Sequence, residues 1–264
     1  MTETNYGRLI GASLGPGDPG LITRRAWEAL NSPARWVYPV KQLQEDSYAL
    51  GILRRAGIAI PEDAQPLHFP MTSDPEILAR AWASAAARSL ELLADGRDLV
   101  FLVEGDASSY STFGHLARAL RELEPAIDME VIPGVSSFAA AAACVGEPLA
   151  EEGDTMAVLP ASYGVEVIDR LLDELDTLVL FKVKPILDEV LDLLERRGLL
   201  ASACFIEKVG APGERVVEDV ARLRGETVAY LSLLLVRNPN RARGELHRGC
   251  RPRRGVHRVA AELF

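Results

Sequence analysis

The chain has 264 residues, 48% of them hydrophobic and 25% charged, with 29 basic against 38 acidic side chains and a formal net charge of −9. This is a globular composition, sufficient for one large or two small domains that bury their own core. The acidic total argues against general nucleic-acid binding. Apolar runs such as 231–236, broken by Ser232, fall far short of the ~20 residues that span a bilayer, so no membrane insertion is expected.

Apolar stretches alternate with stretches of helical period from one end to the other, the pattern of an α/β protein with largely parallel sheets. In chain order the expected strands are 8–14, 36–40, 98–103, 129–132, 155–159, 177–183, 203–208 and 228–236. The clearest helices between them are 21–30, 75–93, 113–123, 136–145, 165–175 and 185–197, with Gly198 suited to the C-cap of the last. Segment 42–72, with Pro61, Pro66 and Pro70, is the least regular and reads as a long insertion or lid. A change of character at Pro125–Asp128 suggests a boundary, giving an N-terminal α/β domain over 1–126 and a C-terminal α/β domain over 127–240.

Residues 241–264 hold seven Arg and two Glu, which leaves −14 on the rest. This basic, Arg-rich tail is expected to be disordered and solvated. It has no aromatic before Phe264 to stack on a base, and His247, Cys250 and His257 make an incomplete metal set. The three cysteines, at 144, 204 and 250, lack CxxC or metal-ligand spacing, and Met1-Thr2-Glu3-Thr4-Asn5 is neither basic nor followed by an apolar run. A reducing, cytoplasmic setting without a metal is expected.

After the first expected strand, Gly15, Gly17 and Gly20 satisfy GxGxxG at the start of a helix, which taken alone suggests a dinucleotide. The intervening residues argue otherwise. A pyrophosphate needs backbone N–H donors, whereas Pro16 and Pro19 have none and fix φ near −65°. The second strand ends Val37-Tyr38-Pro39-Val40 without the acid that would hold a ribose hydroxyl.

Gly15-Pro16-Gly17-Asp18-Pro19 with Leu21 and Thr23, followed by Ala34-Arg35-Trp36-Val37-Tyr38, resembles the opening of the tetrapyrrole methylase family. Four further blocks agree in order and spacing. They are Glu104-Gly105-Asp106 with Tyr110-Ser111, Val131-Ile132-Pro133-Gly134-Val135-Ser136-Ser137-Phe138, Leu180-Phe181-Lys182-Val183, and Tyr230-Leu231-Ser232-Leu233. The resemblance covers about residues 7–237. It implies a homodimer of two α/β domains with a cleft between them that binds S-adenosylmethionine, releasing S-adenosylhomocysteine after methyl transfer to a carbon of a corrinoid or sirohaem precursor. Within the family, Tyr38-Pro39, Glu104-Gly105-Asp106, Tyr110-Ser111-Thr112-Phe113 and the Pro133–Phe138 block look most like methyltransferases acting on C20 of precorrin-2 or its cobalt complex in cobalamin synthesis. A different carbon of a related macrocycle, or a non-catalytic binding protein on the same scaffold, remains open.

By that resemblance Pro16 lines the floor of the site, and Glu104, Gly105, Asp106 and Ser109 surround the methionine moiety and ribose. Ser136 and Ser137 stand at an expected helix N-terminus, which suits a carboxylate as well as simple capping. Val183, Val209, Leu231 and Leu233 match positions that pack on the adenosine or hydrogen-bond it through backbone, and each is as readily explained as ordinary core. Asp106 suits cofactor contact, a proton shuttle or a cap. Ala107 stands where the family usually has proline after Gly-Asp.

The carbon to be methylated is enamine-like and already nucleophilic, so positioning and exclusion of water are the expected contributions. No catalytic base can be assigned, with Tyr110 a weak candidate. A substrate bearing eight carboxylates asks for cations in the cleft. Lys182, Lys184 and Lys208 at strand ends are possible sources, as are Lys41, Arg24 and Arg25, although surface lysine is the simpler reading.

Overall fold

The computed structural model describes residues 5–42 and 47–241. The Arg-rich tail beyond Arg241 lies outside the described residues, so its expected disorder and metal-binding residues are not addressed. β1 (Leu9–Ser13), β2 (Arg35–Val40), β3 (Gln65–His68), β4 (Leu99–Val103) and β5 (Met129–Ile132) form an all-parallel sheet in the order β3-β2-β4-β1-β5. The crossovers carry α1 (Arg24–Leu30), α2 (Tyr48–Arg55), α3 (Pro75–Leu93) and α4 (Phe113–Leu123). α3 starts sharply because Asp74 accepts from the N–H groups of Glu76 and Ile77 while Pro75 fills the first helical position.

Side chains alternate across β4. Leu99, Phe101 and Val103 join the buried layer under α3 and α4, while Val100 and Leu102 join the layer under α1 and α2. Right-handed crossovers demand this split. The chain travels one way along the sheet from β1 through β2 to β3 and the other way from β3 through β4 to β5, so the helices fall on opposite faces. The directions part between β1 and β4, and there the loops at their carboxyl ends diverge, which is where an open α/β sheet receives a ligand.

The second sheet contains β6 (Met156–Pro160), β7 (Thr177–Phe181), β8 (Ala203–Glu207), β9 (Arg215–Val217) and β10 (Ser232–Arg237) in the order β6-β7-β10-β8-β9. One of its faces is covered by α6 (Val165–Glu174) and α7 (Leu187–Arg196), the other by α5 (Ser137–Val145). Leu21, from the loop after β1, packs into the α5 layer. Gly17 sits so close to the loop after β8 that an added Cβ would lie 2.8 Å from the Cβ of Ala211. The two sheets are therefore in close contact through these loops.

Several expectations change. β5 pairs with β1, so the chain leaves the first sheet only after Ile132, and Pro125–Asp128 lies in the α4–β5 turn. The second sheet is mixed, with β6 and β7 parallel and β10 antiparallel to both β7 and β8. Segment 42–72 is not a structureless insertion. It contains α2, capped by Ser47 and burying Ala49, Leu50, Ile52 and Leu53 on one face, and then edge strand β3, whose Pro66 is tolerated because an edge strand has an unpaired side. α1 begins at Arg24, capped by Thr23 accepting from Ala26 N–H, three residues later than the pattern suggested.

Candidate functional site

The loops after β1 and β4 are clamped together. Gly15 N–H donates to Gly105 O at 3.2 Å and Gly105 N–H to Gly15 O at 2.8 Å, with both glycines at positive φ, 75° and 71°. A third strand end joins them through Ser13, whose buried hydroxyl donates to Ile132 O at 2.6 Å and accepts from Ala107 N–H at 2.9 Å. Gly134 completes the junction, because a Cβ there would lie 2.4 Å from Ser13 Cβ and 2.8 Å from Gly105 O. Three strand ends thus meet at one point for a backbone reason, with glycine wherever chains approach.

The glycine loop has no helix-terminal phosphate cradle. A short 3-10 turn occupies Pro19–Leu21, with Gly20 N–H bonded to Asp18, while the carbonyls of Pro16 and Gly17 are taken by Tyr48 hydroxyl and Arg55. The loop serves instead to join the two halves.

Between the sheets lies a cavity of about 820 Å³, a volume that suits a cofactor with part of a large substrate. Pro16, Glu104, Gly105, Asp106 and Ser109 line it from the first half; Ser136, Ser137, Val209, Leu231 and Leu233 line it from the second. Val183 does not. It is fully buried in the core between the second sheet and α6–α7, because the left-handed Lys182 before it turns the chain away. Phe181 takes the place at the cavity wall.

The donors suit an amino-acid zwitterion and a nucleoside. Ser136 caps α5, and the first N–H groups of that helix with the Ser137 hydroxyl stand at the cavity, a setting for a carboxylate. Asp106 Oδ1 is occupied by Ser108 N–H and hydroxyl at 2.6 Å, as a turn cap would be, while Oδ2 accepts nothing among the described residues. At Gly105 a Cβ would meet nothing within 4 Å, so the missing side chain leaves room in the cleft for a ligand against the backbone. Ile206, Val209, Leu231 and Leu233 make an apolar wall suited to a purine.

A second polar group lies on the α2 side. Glu104 follows β4 in the register that points toward α2; its side chain is exposed to the cleft, and desolvation by the walls packed about the cleft pushes its carboxyl up to about 7, with Lys41 pulling the other way. Tyr48 and Tyr230 also titrate above the usual phenol value, first through burial and then through Glu104. Lys41 Nζ lies 5.4 Å from the centre of the Tyr230 ring. The cation sources are sorted by the structure. Lys41, Arg54, Lys182 and Lys208 line the cavity, whereas Arg24 and Arg25 pair with Glu28 and Glu130 elsewhere and Lys184 is not at the wall.

The non-glycine residues with positive φ among those described are Tyr110, Lys182 and Lys208, at 54°, 55° and 52°. All three line this cavity, and strained backbone is retained where surroundings over-determine it, as at functional sites. Tyr110, 60% exposed, reaches from the first half to the second, donating its hydroxyl to Val158 O at 2.7 Å and meeting the Phe181 ring edge-on at 5.5 Å. Its proton is engaged in that bond, which makes it a strut across the cleft rather than a free base.

Tyr48 and Arg54 were missed as site residues. The available signal was Ser47 followed by apolar residues at helical spacing, which predicts α2; Tyr48, Gly51 and Arg54, three apart, put one side of that helix at the cavity. Among the described residues no His/Cys/Asp/Glu group could hold a metal and no helix is long and apolar enough to cross a membrane.

Comparison with known proteins places this architecture. The family model described as tetrapyrrole (corrin/porphyrin) methylases matches residues 8–223. The chain is 32% identical over 231 residues to a cobalt-precorrin-2 C(20)-methyltransferase of Salmonella typhimurium, covering 87% of this chain and 96% of that protein. It is 30% identical over 246 residues to a precorrin-2 C(20)-methyltransferase of Sinorhizobium sp, covering 89% and 97%. Among solved structures, a uroporphyrin-III C-methyl transferase from Thermus thermophilus complexed with S-adenyl homocysteine shares the fold at a TM-score of 0.57 and 22% identity, covering 87% of this chain and 97% of that one. With its two-sheet architecture and a family match over most of its length, the chain belongs to the tetrapyrrole methylase family.

Proposed function

We propose that this protein methylates C20 of precorrin-2 or of its cobalt complex, with S-adenosylmethionine as donor. The observation that carries the position is the 30–32% identity to two C20-methyltransferases over nearly their whole length. When bound, S-adenosylmethionine supplies an electrophilic methyl on a sulfonium.

The residues of this chain divide the remaining tasks. Gly105 admits the methionine part against backbone, while Ser136, Ser137 and the α5 N-terminus hold its carboxylate. Asp106 Oδ2 and Ser109 serve the ribose and amino group. Pro16 forms the floor, and Val209, Leu231 and Leu233 enclose the base. Lys41, Arg54, Lys182 and Lys208 attract substrate carboxylates into a protein that is otherwise acidic. A cleft with apolar walls favours a transition state in which the sulfonium charge disperses, and holding the two carbons in line contributes the larger share of the rate.

The test is anaerobic incubation with a carbon-13 methyl donor and either precorrin-2 or its cobalt complex, read by mass and carbon NMR. One labelled methyl on C20 supports the reading, and the faster substrate identifies the natural one. Label on another carbon replaces the positional assignment while keeping the chemistry. We infer a homodimer in the cytoplasm from the family resemblance, and sedimentation of the purified protein tests the first.

A further inference from the structure

We propose that Glu104 is the proton acceptor for the methylated carbon, standing on the macrocycle side of the cleft rather than among the cofactor ligands. This rests on the methyl-transfer reading above. It departs from the role that the sequence resemblance gave the residue.

The sheet geometry separates Glu104 from the cofactor-side groups. Ser13, which gathers Ala107 and Gly134, shares the face of the first sheet with Leu9 and the α3–α4 layer. Glu104 continues the opposite row of Val100 and Leu102 toward α2. There it shares the cavity wall with Lys41 after β2, Tyr48 and Arg54 on α2, and Tyr230 before β10, with Asp106 the other carboxylate in its own loop and Lys182 and Lys208 on the facing strand ends. Tyr48 hydroxyl is committed to Pro16 O at 2.9 Å and Tyr110 to Val158 O. Glu104 accepts no hydrogen bond among the described residues, and its exposed side chain stands at the wall of the cavity. A carboxylate so placed has unused lone pairs aimed at whatever fills the cleft, and its titration near neutrality is that of a working base.

The step balances without a further reagent. The meso carbon attacks the methyl as the C–S bond breaks, and that electron pair stays on sulfur, giving a neutral thioether. The meso C–H pair then returns to the ring system to restore conjugation, and its proton passes to Glu104, which releases it to solvent. Lys41 keeps the carboxyl from being wholly protonated and so sets the pH at which it accepts.

The experiment uses the full-length protein with variants Glu104→Gln and Glu104→Asp, S-adenosylhomocysteine binding by calorimetry, and turnover of substrate carrying hydrogen or deuterium at the meso carbon. Expected are an unchanged dissociation constant in Glu104→Gln, a kcat at saturating donor lower by about 10²-fold, partial recovery in Glu104→Asp, and a deuterium isotope effect that grows in Glu104→Gln as proton loss becomes limiting. In the unsubstituted protein kcat rises with pH through about 7, and this rise vanishes in Glu104→Gln. The same measurement applies to whichever carbon the label identifies. Tenfold weaker S-adenosylhomocysteine binding with kcat intact makes Glu104 a cofactor ligand and overturns the proposal, as does full activity of Glu104→Gln. No methyl transfer by the unsubstituted protein instead refutes the functional reading itself.

Discussion

Replacing Gly134 by alanine tests whether the three strand ends truly meet at one point. The new Cβ falls 2.4 Å from Ser13 Cβ and 2.8 Å from Gly105 O, so the loop must retreat by roughly 1 Å to reach ordinary contact, since the neighbours are backbone and a fixed Cβ rather than flexible side-chain ends. Overpacking of this kind costs about 1–3 kcal/mol. If the retreat breaks the Ser13 bonds to Ile132 O and Ala107 N, each adds about 1 kcal/mol. With both bonds lost, a total of about 3–5 kcal/mol is a large part of an ordinary stability of about 5–15 kcal/mol and lowers Tm by roughly 6–20 °C. Because Gly134 leads into Ser136 and α5 while Gly105 and Ala107 belong to the opposite wall, S-adenosylhomocysteine affinity falls with stability. Gly105→Ala provides the contrast. Its Cβ meets no protein atom, so the cost is the left-handed backbone alone, about 1–2 kcal/mol, yet the methyl enters the cleft and weakens the ligand at least tenfold. Calorimetry and thermal melts of the two variants measure both quantities. Unchanged Tm and affinity in Gly134→Ala would show that the close approach does not exist.

Other expectations follow from single contacts. Tyr110→Phe removes the hydroxyl bonded to Val158 O, lowering stability by about 1 kcal/mol while keeping turnover within tenfold; complete loss of methyl transfer would instead make the tyrosine the base. Lys182→Gly relaxes a φ of 55°, so Tm holds or rises, by up to about 1 kcal/mol of stability, while KM for the polycarboxylate substrate rises and its salt dependence flattens. A drop in Tm with unaltered KM would contradict both halves. Asp176 is buried, which raises its carboxyl, but hydrogen bonds from Thr155 and Arg241 outweigh burial and hold it at about 2. Its folded value lies below the unfolded one, so its contribution is present above pH 4 and is lost as pH falls toward 2. Asp176→Asn therefore destabilises the protein at pH 7 and shrinks the difference from wild type at pH 3, as urea melts at the two pH values would show.

The site was legible wherever a special backbone announced itself in residue type. Gly15 and Gly105 carry positive φ, Gly134 a close approach, and Pro16 and Pro19 the absence of donors. Those residues also carried the family resemblance. The side-chain direction of Val183 was not legible, because a buried apolar residue beside a site reads the same in sequence whether it faces the ligand or the core, and the strained turn at Lys182 turns it to the core. α2 was hidden by its eight-residue length, by Gly51 within it and by the prolines that follow. The edge position of β3 makes Pro66 tolerable, and no local signal reports which strand is an edge.

Sequence pattern by itself located most of the strands and helices, α2, β3 and β9 excepted, because burial of one face imposes a spacing of two or of 3.6 on the chain. It also excluded a dinucleotide cradle, since proline lacks the N–H such a cradle needs. Strand order, the antiparallel insertion of β10 and the place of β5 in the first sheet were decided by tertiary pairing between segments far apart in sequence. The same pairing brought Glu104, Lys41, Tyr48 and Tyr230 to one side of one cavity. Local pattern fixes what each segment buries but carries no information about its neighbour, and the environment that makes a carboxylate a base is a property of neighbours.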